Sequence, residues 1–175
     1  METLDLHGKN TMIRLDLNVP LKDGNVTSDA RIQAALPTIK MAIDKGAQVI
    51  LISHLGRPDP DNLDGSFSLE PVAKKLQEIL NINVSFQPNW LDGIKEESQG
   101  IVLCENIRYE AGEKKNDESL SKQIADLCDV YVMDAFGASH REHSSTYGAL
   151  KYAKEGCIGP LLSKEVSSIR KAIDD

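Results

Sequence analysis

The chain has 175 residues, of which 41% are hydrophobic and 27% are charged, which is ordinary for a globular protein with one sizeable core. Its formal net charge of −7 argues against a general surface for nucleic acid or anionic membranes, and no apolar stretch reaches the length of a membrane span. Three cysteines, Cys104, Cys128 and Cys157, are too few and too scattered for a disulfide framework or a zinc site, so we expect free thiols in a reducing cytoplasm.

Short aliphatic runs alternate with segments of helical periodicity along the chain. The runs at 12–17, 49–52, 101–103 and 130–133 are predicted to be buried parallel strands, and 84–86 is a weaker candidate. Apolar residues at helical spacing predict four helices, whose faces are formed by Ile32, Ala35, Leu36, Ile39 and Ile43; by Val72, Leu76, Ile79 and Leu80; by Leu120, Ile124 and Leu127; and, after Pro160, by Leu162, Val166, Ile169 and Ile173. This alternation with short connections predicts an α/β fold whose open parallel sheet is covered on both faces.

Residues that begin and end helices mark the limits of these elements. Ser68 and Asn116 are predicted to be the N-caps of the second and third helices. Pro37 is predicted to divide the first pattern into a short turn and a longer helix that begins near the proline. Gly46 lies where a helix C-cap is expected, and residues 59–65 (DPDNLDG) predict a surface loop rather than a domain boundary.

Unusual polar residues collect where the predicted strands end. In open α/β sheets, ligands bind beyond the carboxyl ends of the strands. Four separate loops bring polar or basic side chains to that edge: Asp16 and Asn18; His54 and Arg57; Arg108; and His140, Arg141 and His143. Three of the chain's six arginines lie in these loops, and Arg31, just inside the first helix, can join them. Arginines that converge in an acidic protein repel one another unless an anion compensates them.

Arginine is well suited to binding a phosphate ester. Its planar fork binds two oxygens at once, and each charge-assisted hydrogen bond contributes about 1.5–3 kcal/mol. Gly56 lets the backbone approach a ligand closely, whereas Asp16 and Asn18 suit a hydroxyl group or an arginine better than a phosphate. The expected ligand is therefore a small polyanion with at least one phosphate and a polar carbon skeleton.

Other charged residues are expected to have ordinary structural roles. Arg14 and Arg170 are interpreted as members of surface ion pairs, and residues 112–117 (GEKKND) as a solvated turn. Asp16 has an open alternative, since it could cap a turn or pair with a nearby arginine. His140 and His143 are three residues apart, but no carboxylate or cysteine completes a recognisable ligand set with them, so no metal site is predicted.

Five motifs occur in order along the chain: RLDLNVP (14–20), DARIQAALPTI (29–39), SHLGRP (53–58), ENIRYEAGEKKND (105–117) and DAFGASHREHSST (134–146). Their order and approximate spacing resemble those of the phosphoglycerate kinases over nearly the whole chain. The resemblance implies a three-layer α/β/α domain with a mainly parallel, Rossmann-like sheet. It also implies a cytoplasmic glycolytic kinase that transfers the acyl phosphate of 1,3-bisphosphoglycerate reversibly to ADP, giving 3-phosphoglycerate and ATP.

The resemblance assigns roles to individual residues. By this likeness, Asp16 and Asn18 contact the glycerate part of the substrate, and Arg31 is the catalytic arginine that neutralises charge on the transferring phosphoryl group. The matching positions of the whole substrate site are Asp16, Leu17, Asn18, Arg31, His54, Leu55, Gly56, Arg57, Arg108 and Arg141. Among them, His54 and the last three arginines resemble the basic patch around the non-transferred 3-phosphate. Glu142 departs from the family, which usually has a small residue there, and Leu17 replaces a common phenylalanine.

The family has a second domain of similar size, which carries a catalytic lysine and binds the nucleotide with its magnesium. This chain contains no Walker-type loop and no dinucleotide fingerprint. The resemblance therefore implies a substrate-binding domain over residues 1–160, the start of an interdomain helix over 161–175, and Mg-ATP or Mg-ADP bound by a C-terminal domain outside this chain. We expect no cofactor here, a monomeric full enzyme, no nucleic-acid or membrane partner, and no turnover of 3-phosphoglycerate or 1,3-bisphosphoglycerate by this chain alone.

Two functions of other classes remain open from the sequence. One is a non-catalytic module that binds phosphorylated metabolites, which an adjoining glycine- and lysine-rich nucleotide domain would exclude. The other is a metal-dependent phosphohydrolase that uses His54, Asp134, His140 and His143, which stoichiometric Zn²⁺ or Mn²⁺ in the purified protein would favour.

Overall fold

The computed structural model describes residues 1–95 and 100–174. The strands are β1 (Asn10–Leu15), β2 (Leu21–Lys22), β3 (Asn25–Val26), β4 (Gln48–Ile52), β5 (Val84–Gln87), β6 (Ile101–Cys104), β7 (Val130–Asp134) and β8 (Glu155–Ile158). The α-helices are α1 (Ala30–Asp44), α2 (Glu70–Leu80), α3 (Glu118–Asp126), α4 (Phe136–Ser139), α5 (Ala149–Tyr152) and α6 (Pro160–Asp174). All five predicted strands and all four predicted helices are therefore confirmed as elements.

A parallel sheet with the strand order β5-β6-β4-β1-β7-β8 forms the centre of the fold. The chain leaves β1 toward β4 and leaves β7 toward β8, in opposite directions across the sheet. Diverging connections open a crevice beyond the carboxyl ends of the strands. The first strand ends at Leu15, two residues before the predicted limit, so Asp16 and Leu17 lie in the loop above this crevice.

Two apolar clusters lie on opposite faces of the sheet. Ile13 belongs to a cluster with Ile39 of α1 and Val72 of α2, while its neighbour Met12 belongs to another with Ile124 of α3. Successive strand residues point to opposite faces, so each side of β1 packs against a different layer of helices. The predicted three-layer α/β/α architecture is confirmed.

Helix α1 runs without interruption through Pro37, so the predicted division at this residue is wrong. The proline removes one helical hydrogen bond, at a cost of about 3 kcal/mol, but Thr38, Ile39 and Ala42 beyond it are buried. Packing of that buried face holds the second half of the helix in line with the first. The C-cap of this helix is Lys45, one residue before the predicted Gly46; Gly46 follows it with a φ of +73° and donates its N–H to the Ile43 carbonyl at 2.8 Å, a common arrangement for a glycine after a C-cap.

The two predicted N-caps are each wrong by one residue. Helix α2 has Leu69 at its N-cap, although the Ser68 hydroxyl still accepts the Glu70 N–H at 3.2 Å. Helix α3 is capped by Asp117, whose carboxylate accepts the Leu120 N–H at 2.9 Å. The adjacent Asn116 instead adopts a left-handed conformation with a φ of +52°. Either residue of an Asn–Asp pair can accept such a bond, so composition alone does not select between them.

The β2–β3 hairpin was not predicted, although its turn residues carry a signal. Asp23 and Gly24 have φ values of +49° and +72°, which correspond to a type I′ turn. Asp-Gly is a preferred pair for this turn, but the strands on either side, Leu21–Lys22 and Asn25–Val26, have only two residues each. Strands this short show no periodicity.

Helix α6 is attached to the sheet at its first turn. The Asp134 carboxylate, at the end of β7, accepts the Leu162 N–H at 2.8 Å and the Thr38 hydroxyl of α1. Leu162 is buried against Met133 and Ala138, whereas Ile169 is 44% exposed and the side chain of Ile173 lies outside the described residues. Whether this helix links two domains remains a prediction. Over residues 1–95 and 100–174, no helix is long and apolar enough to cross a membrane.

Candidate functional site

Ser53, directly after β4, joins the loops that follow β1 and β6. Its hydroxyl accepts the Leu17 N–H at 2.9 Å, and its carbonyl accepts the Ile107 N–H at 3.1 Å. Three neighbouring strand ends are therefore fixed relative to one another at the carboxyl edge of the sheet. Ser53 was not among the residues predicted from the sequence.

Asn106 is a second connecting residue that was not predicted from the sequence. Its amide oxygen accepts the Leu55 and Arg108 N–H groups, each at 3.1 Å. Its amide nitrogen donates to the carbonyls of Leu55 at 2.8 Å and Phe67 at 2.9 Å. Because the side chain is 1% exposed and uses both polar atoms, it fixes the 53–58 loop against the 105–108 turn.

Gly56 lies where these loops meet and adopts a left-handed φ of +59°. Its N–H donates to the Asn18 amide oxygen at 2.8 Å, and its carbonyl accepts from the Arg108 guanidinium. A Cβ atom at this position would lie 2.1 Å from Cδ1 of Phe67. Only glycine therefore satisfies both the backbone conformation and the packing of this turn.

We expect Gly56→Ala to lower the free energy of unfolding by about 2–5 kcal/mol, because left-handed strain adds to a clash with the Phe67 ring. Chemical denaturation measures the change. Gly65→Ala is the matched control, since Gly65 has a φ of +78° and a Cβ atom added there would meet nothing within 4 Å, so it should lose only about 1–2 kcal/mol. Equal losses at the two positions would contradict the packing role of Gly56.

Asp16 holds Arg31 at the edge of the crevice. One carboxylate oxygen accepts from the Arg31 guanidinium, and the other accepts the Asn18 N–H at 3.2 Å. Asp16 thus both caps its turn and pairs with an arginine, the two alternatives that the sequence left open. The Arg31 side chain keeps 50% of its surface exposed, so it remains accessible to a ligand. A Cβ atom on Gly137 would lie 3.1 Å from the Asp16 carboxylate, so the connection after β7 also approaches this point.

Leu17 and Leu55 are buried in the scaffold of the site, and their contact with a substrate stays a prediction. Their side chains are 0% and 2% exposed, respectively. The Leu17 carbonyl accepts the Val19 N–H at 2.8 Å, and both backbone groups of Leu55 are bonded to Asn106. The N–H groups of both residues are already donated, that of Leu17 to Ser53 and that of Leu55 to Asn106.

Arg14 is not a surface ion pair, so that interpretation is wrong. The side chain is 2% exposed, and its guanidinium donates to the Ser145 hydroxyl at 2.9 Å and to the Leu15 carbonyl. Burial lowers the pKa of Arg14, and the nearby Glu113 carboxylate opposes this effect. Because arginine loses its proton only at very high pH, Arg14 is a buried cation beside the candidate site.

His54 does not add a positive charge to the predicted basic patch. Burial, followed by the charges of Arg14, Arg108 and Arg141, lowers the pKa of His54 to about 2. The ring is therefore neutral under physiological conditions, and its Nδ1 lies 3.1 Å from Nη2 of Arg14. His54 can still contact an anion, but only as a neutral hydrogen-bond donor.

The charges of the remaining arginines of the patch, Arg57 and Arg141, act on Arg108. This side chain is 7% exposed, and among the described residues its Nε has no hydrogen-bond partner. Burial lowers the pKa of Arg108, and the charges of Arg141, Arg14 and Arg57 add to this effect. Arg57 is exposed and Arg141 is half-buried. Mutual repulsion within such a group favours an anion that accepts from several guanidinium groups at once.

The 112–117 turn is not fully solvated as predicted, because Glu113 is 1% exposed. Its carboxylate accepts the Ser145 hydroxyl at 2.6 Å and the Ser145 N–H at 2.9 Å. The charge of Glu113 counters the effect of burial on both Arg14 and Arg108. The chain thus supplies the arginines with a buried counter-charge that was not predicted from the sequence.

The four residues that a metal-dependent phosphohydrolase would use do not form a common ligand set. Asp134 is bonded to α1 and α6, and His54 accepts from Arg14. His140 is exposed, and Nδ1 of His143 lies 3.8 Å from the Glu113 carboxylate. No group of three or more His, Cys, Asp or Glu residues in the described chain is arranged to hold a metal ion. The geometry therefore gives this alternative no support.

The chain is similar to proteins of one family. A family model described as phosphoglycerate kinase matches residues 1–175. The phosphoglycerate kinase of Nitratidesulfovibrio vulgaris is 52% identical over 174 residues, which cover 99% of this chain and 44% of that protein. The phosphoglycerate kinase of Francisella tularensis subsp. novicida is 51% identical over 173 residues, with the same coverage. The chain therefore spans less than half the length of these relatives.

Solved structures give the same result. The structure of phosphoglycerate kinase from Coxiella burnetii superimposes with a TM-score of 0.94 at 48% identity, covering 98% of this chain and 44% of that one. The crystal structure of phosphoglycerate kinase from Pyrococcus horikoshii OT3 gives a TM-score of 0.85 at 32% identity, covering 98% and 45%. The likeness extends over the whole sheet and its helices.

Proposed function

Because the chain belongs to the phosphoglycerate kinase family, we propose that it supplies the phosphoglycerate site of such an enzyme. The reaction is the reversible transfer of a phosphoryl group between 1,3-bisphosphoglycerate and ADP, giving 3-phosphoglycerate and ATP. One observation carries this proposal: the buried Arg108, which donates to the Gly56 carbonyl at the carboxyl edge of the sheet, has an Nε donor without a partner among the described residues, and the charges of Arg141, Arg14 and Arg57 act on it. A small ligand that carries both a phosphate and a carboxyl group matches that excess of donors and positive charge.

The proposed roles follow from exposure and bonding. Arg57, Arg108 and Arg141 hold the phosphate that does not react, because they interact electrostatically around one buried guanidinium. Asn18 and Asp16 face the glycerate part, where a hydroxyl and a carboxyl group need partners. Arg31 is half-exposed and anchored by Asp16, which suits a side chain that stabilises charge on the transferring phosphoryl group.

The nucleotide and its magnesium belong, in this proposal, to a C-terminal domain outside these residues. Support comes from the 44% share of the relatives that this chain spans. Over the described residues no ligand cluster suits a metal ion, so we assign no step to a metal here. Residues 1–160 then form the substrate domain, and 161–175 begin the interdomain helix of a monomeric, cytoplasmic enzyme. Free thiols at Cys104, Cys128 and Cys157 agree with that compartment.

We expect the 175-residue chain to bind 3-phosphoglycerate without turning it over. Calorimetric titration should detect binding that inorganic phosphate competes against and that weakens between about 0.05 and 0.5 M salt, because salt screens the attraction between arginines and a polyanion. Glycerate, which lacks the phosphate, is the matched control and should bind far more weakly.

Equal binding of glycerate and 3-phosphoglycerate would contradict a phosphate site. ATP-dependent turnover by the 175 residues alone would contradict the proposed division of labour between two domains. A non-catalytic module for phosphorylated metabolites would give the same titration. It is distinguished by the kinetics of Arg31 variants, since only a kinase has a phosphoryl-transfer rate for them to change.

A further inference from the structure

Four side chains form a continuous hydrogen-bonded series beneath the candidate site. The Ser145 hydroxyl lies 2.6 Å from Oε1 of Glu113, Nε of Arg14 lies 2.9 Å from the same hydroxyl, and Nη2 of Arg14 lies 3.1 Å from Nδ1 of His54. All four side chains are buried. Ser145 itself is held from the other side, because its carbonyl accepts from the Tyr131 hydroxyl. We refer to Glu113, Ser145, Arg14 and His54 as the relay.

The direction of every hydrogen bond in the relay is determined by the chemistry of its members. Arginine donates and cannot accept, so Ser145 accepts from Arg14 and must use its single hydroxyl proton to donate to Glu113. At the other end, Arg14 also donates to Nδ1 of His54. A neutral imidazole whose Nδ1 accepts carries its proton on Nε2.

Glu113 also supplies the charge that this arrangement requires. Its carboxylate opposes the effect of burial on both Arg14 and Arg108, and a second bond from the Ser145 N–H at 2.9 Å keeps it in place. An arginine buried without a nearby carboxylate is strongly destabilising. Removing the Glu113 charge, or the Ser145 hydroxyl that accepts from Nε of Arg14, should therefore leave Arg14 held only by the Leu15 carbonyl and weaken its contact with His54.

We propose that Glu113 is a positioning residue of the anion site, which acts through Ser145 and Arg14 to fix His54 as a neutral ring with its N–H at Nε2, available to donate to a bound phosphate. Among the described residues, Nε2 has no hydrogen-bond partner. With the opposite tautomer, Nε2 would direct a lone pair at the phosphate oxygens instead of a proton. The identity of the ligand as 3-phosphoglycerate rests on the proposed function, whereas the relay needs only a phosphate group.

Nitrogen-15 NMR of the imidazole rings tests the relay directly. In the wild-type protein, we expect the His54 Nδ1 resonance in the range of an unprotonated nitrogen and Nε2 in the range of a protonated one. Ser145→Ala retains both charges and breaks the relay, and Glu113→Gln removes the carboxylate. In each variant the two resonances should move toward the average of exchanging tautomers, and affinity for inorganic phosphate should fall about five- to tenfold.

Glu118→Gln is the matched control, because it removes the same charge from an exposed pair with Lys122 and should leave both readouts unchanged. A wild-type His54 protonated at Nδ1 would overturn the proposal without any variant. So would an unaltered tautomer in both relay variants, or an altered tautomer with unaltered phosphate affinity. If phosphate binds and responds as expected but 3-phosphoglycerate does not compete with it, the relay stands and the proposed function fails.

Discussion

Replacing Arg31 with alanine in the proposed full-length kinase is expected to lower kcat by roughly a hundred- to a thousandfold, with little change in the KM for 3-phosphoglycerate. Arg31 is half-exposed and is held in place by the Asp16 carboxylate. It can therefore stabilise negative charge that develops on the phosphoryl group only during transfer. An interaction made in the transition state and not in the ground state affects kcat rather than KM. Steady-state kinetics in both directions measures the split.

A second substitution of Arg31 and a control elsewhere on the same helix separate the role of the guanidinium group from that of a positive charge alone. Arg31→Lys retains one positive charge without the planar fork, and we expect it to restore only part of the lost rate. Lys40→Ala removes a cation from the exposed side of the same helix, α1, and should leave kcat unchanged. A loss in Arg31→Ala that falls mainly on KM would instead place this residue among the groups that bind the unreactive phosphate.

The sheet could be predicted because its signal is local. Strand residues such as Ile13 and Val132 lie in aliphatic runs that are buried on both faces, and a parallel sheet covered by helices requires such runs. Helix ends were less certain, since neighbouring Asn116 and Asp117 have similar capping chemistry. The predicted division of the first helix at Pro37 was wrong for a different reason. Its local cost is real, but the burial of Thr38 and Ile39 opposes it, and burial depends on the rest of the fold.

The exposed part of the site could also be predicted from the chain. Asp16, Arg31 and Arg57 follow strand ends or begin a helix, and their placement at one edge of the sheet follows from the parallel topology. The buried part could not be predicted without the structure. Arg14 bonds to Ser145, which is 131 residues away, and Ser145 bonds to Glu113, which is 32 residues away.

Charged residues are rarely buried unless they are paired, so a single arginine in a strand or a glutamate in a turn is expected to be exposed. Whether such a side chain is buried depends on whether the fold brings an oppositely charged or hydrogen-bonding partner to it. Glu113 was interpreted as part of a solvated turn because Ser145 and Arg14 lie in other motifs of the sequence. The same separation explains why His54 was predicted to belong to a basic patch. Its neutral state results from burial and from the charges of arginines that lie in separate loops of the sequence.

Arg108 combines a structural contact with the proposed phosphate contact. It donates to the Gly56 carbonyl, which fixes the turn that also receives Asn18. Its Nε has no partner among the described residues, although the side chain is 7% exposed. A buried donor left unsatisfied costs about 1–3 kcal/mol, so an anion that accepts from it recovers that energy on binding. Arg57 is exposed, and solvent weakens any contact that it makes with the same anion.

We therefore expect Arg108→Ala to weaken binding of 3-phosphoglycerate by about 10- to 100-fold, the equivalent of one charge-assisted hydrogen-bonding group. The KM should rise by a similar factor while kcat changes little, because the phosphate that Arg108 binds does not react. Arg57→Ala should have a smaller effect that fades as salt is added. Arg170→Ala, which removes the same charge from the exposed surface of α6, is the control and should bind normally. Equal binding of 3-phosphoglycerate by Arg108→Ala and Arg170→Ala would show that Nε of Arg108 does not donate to the ligand. The phosphate would then have to bind to other arginines of the cluster.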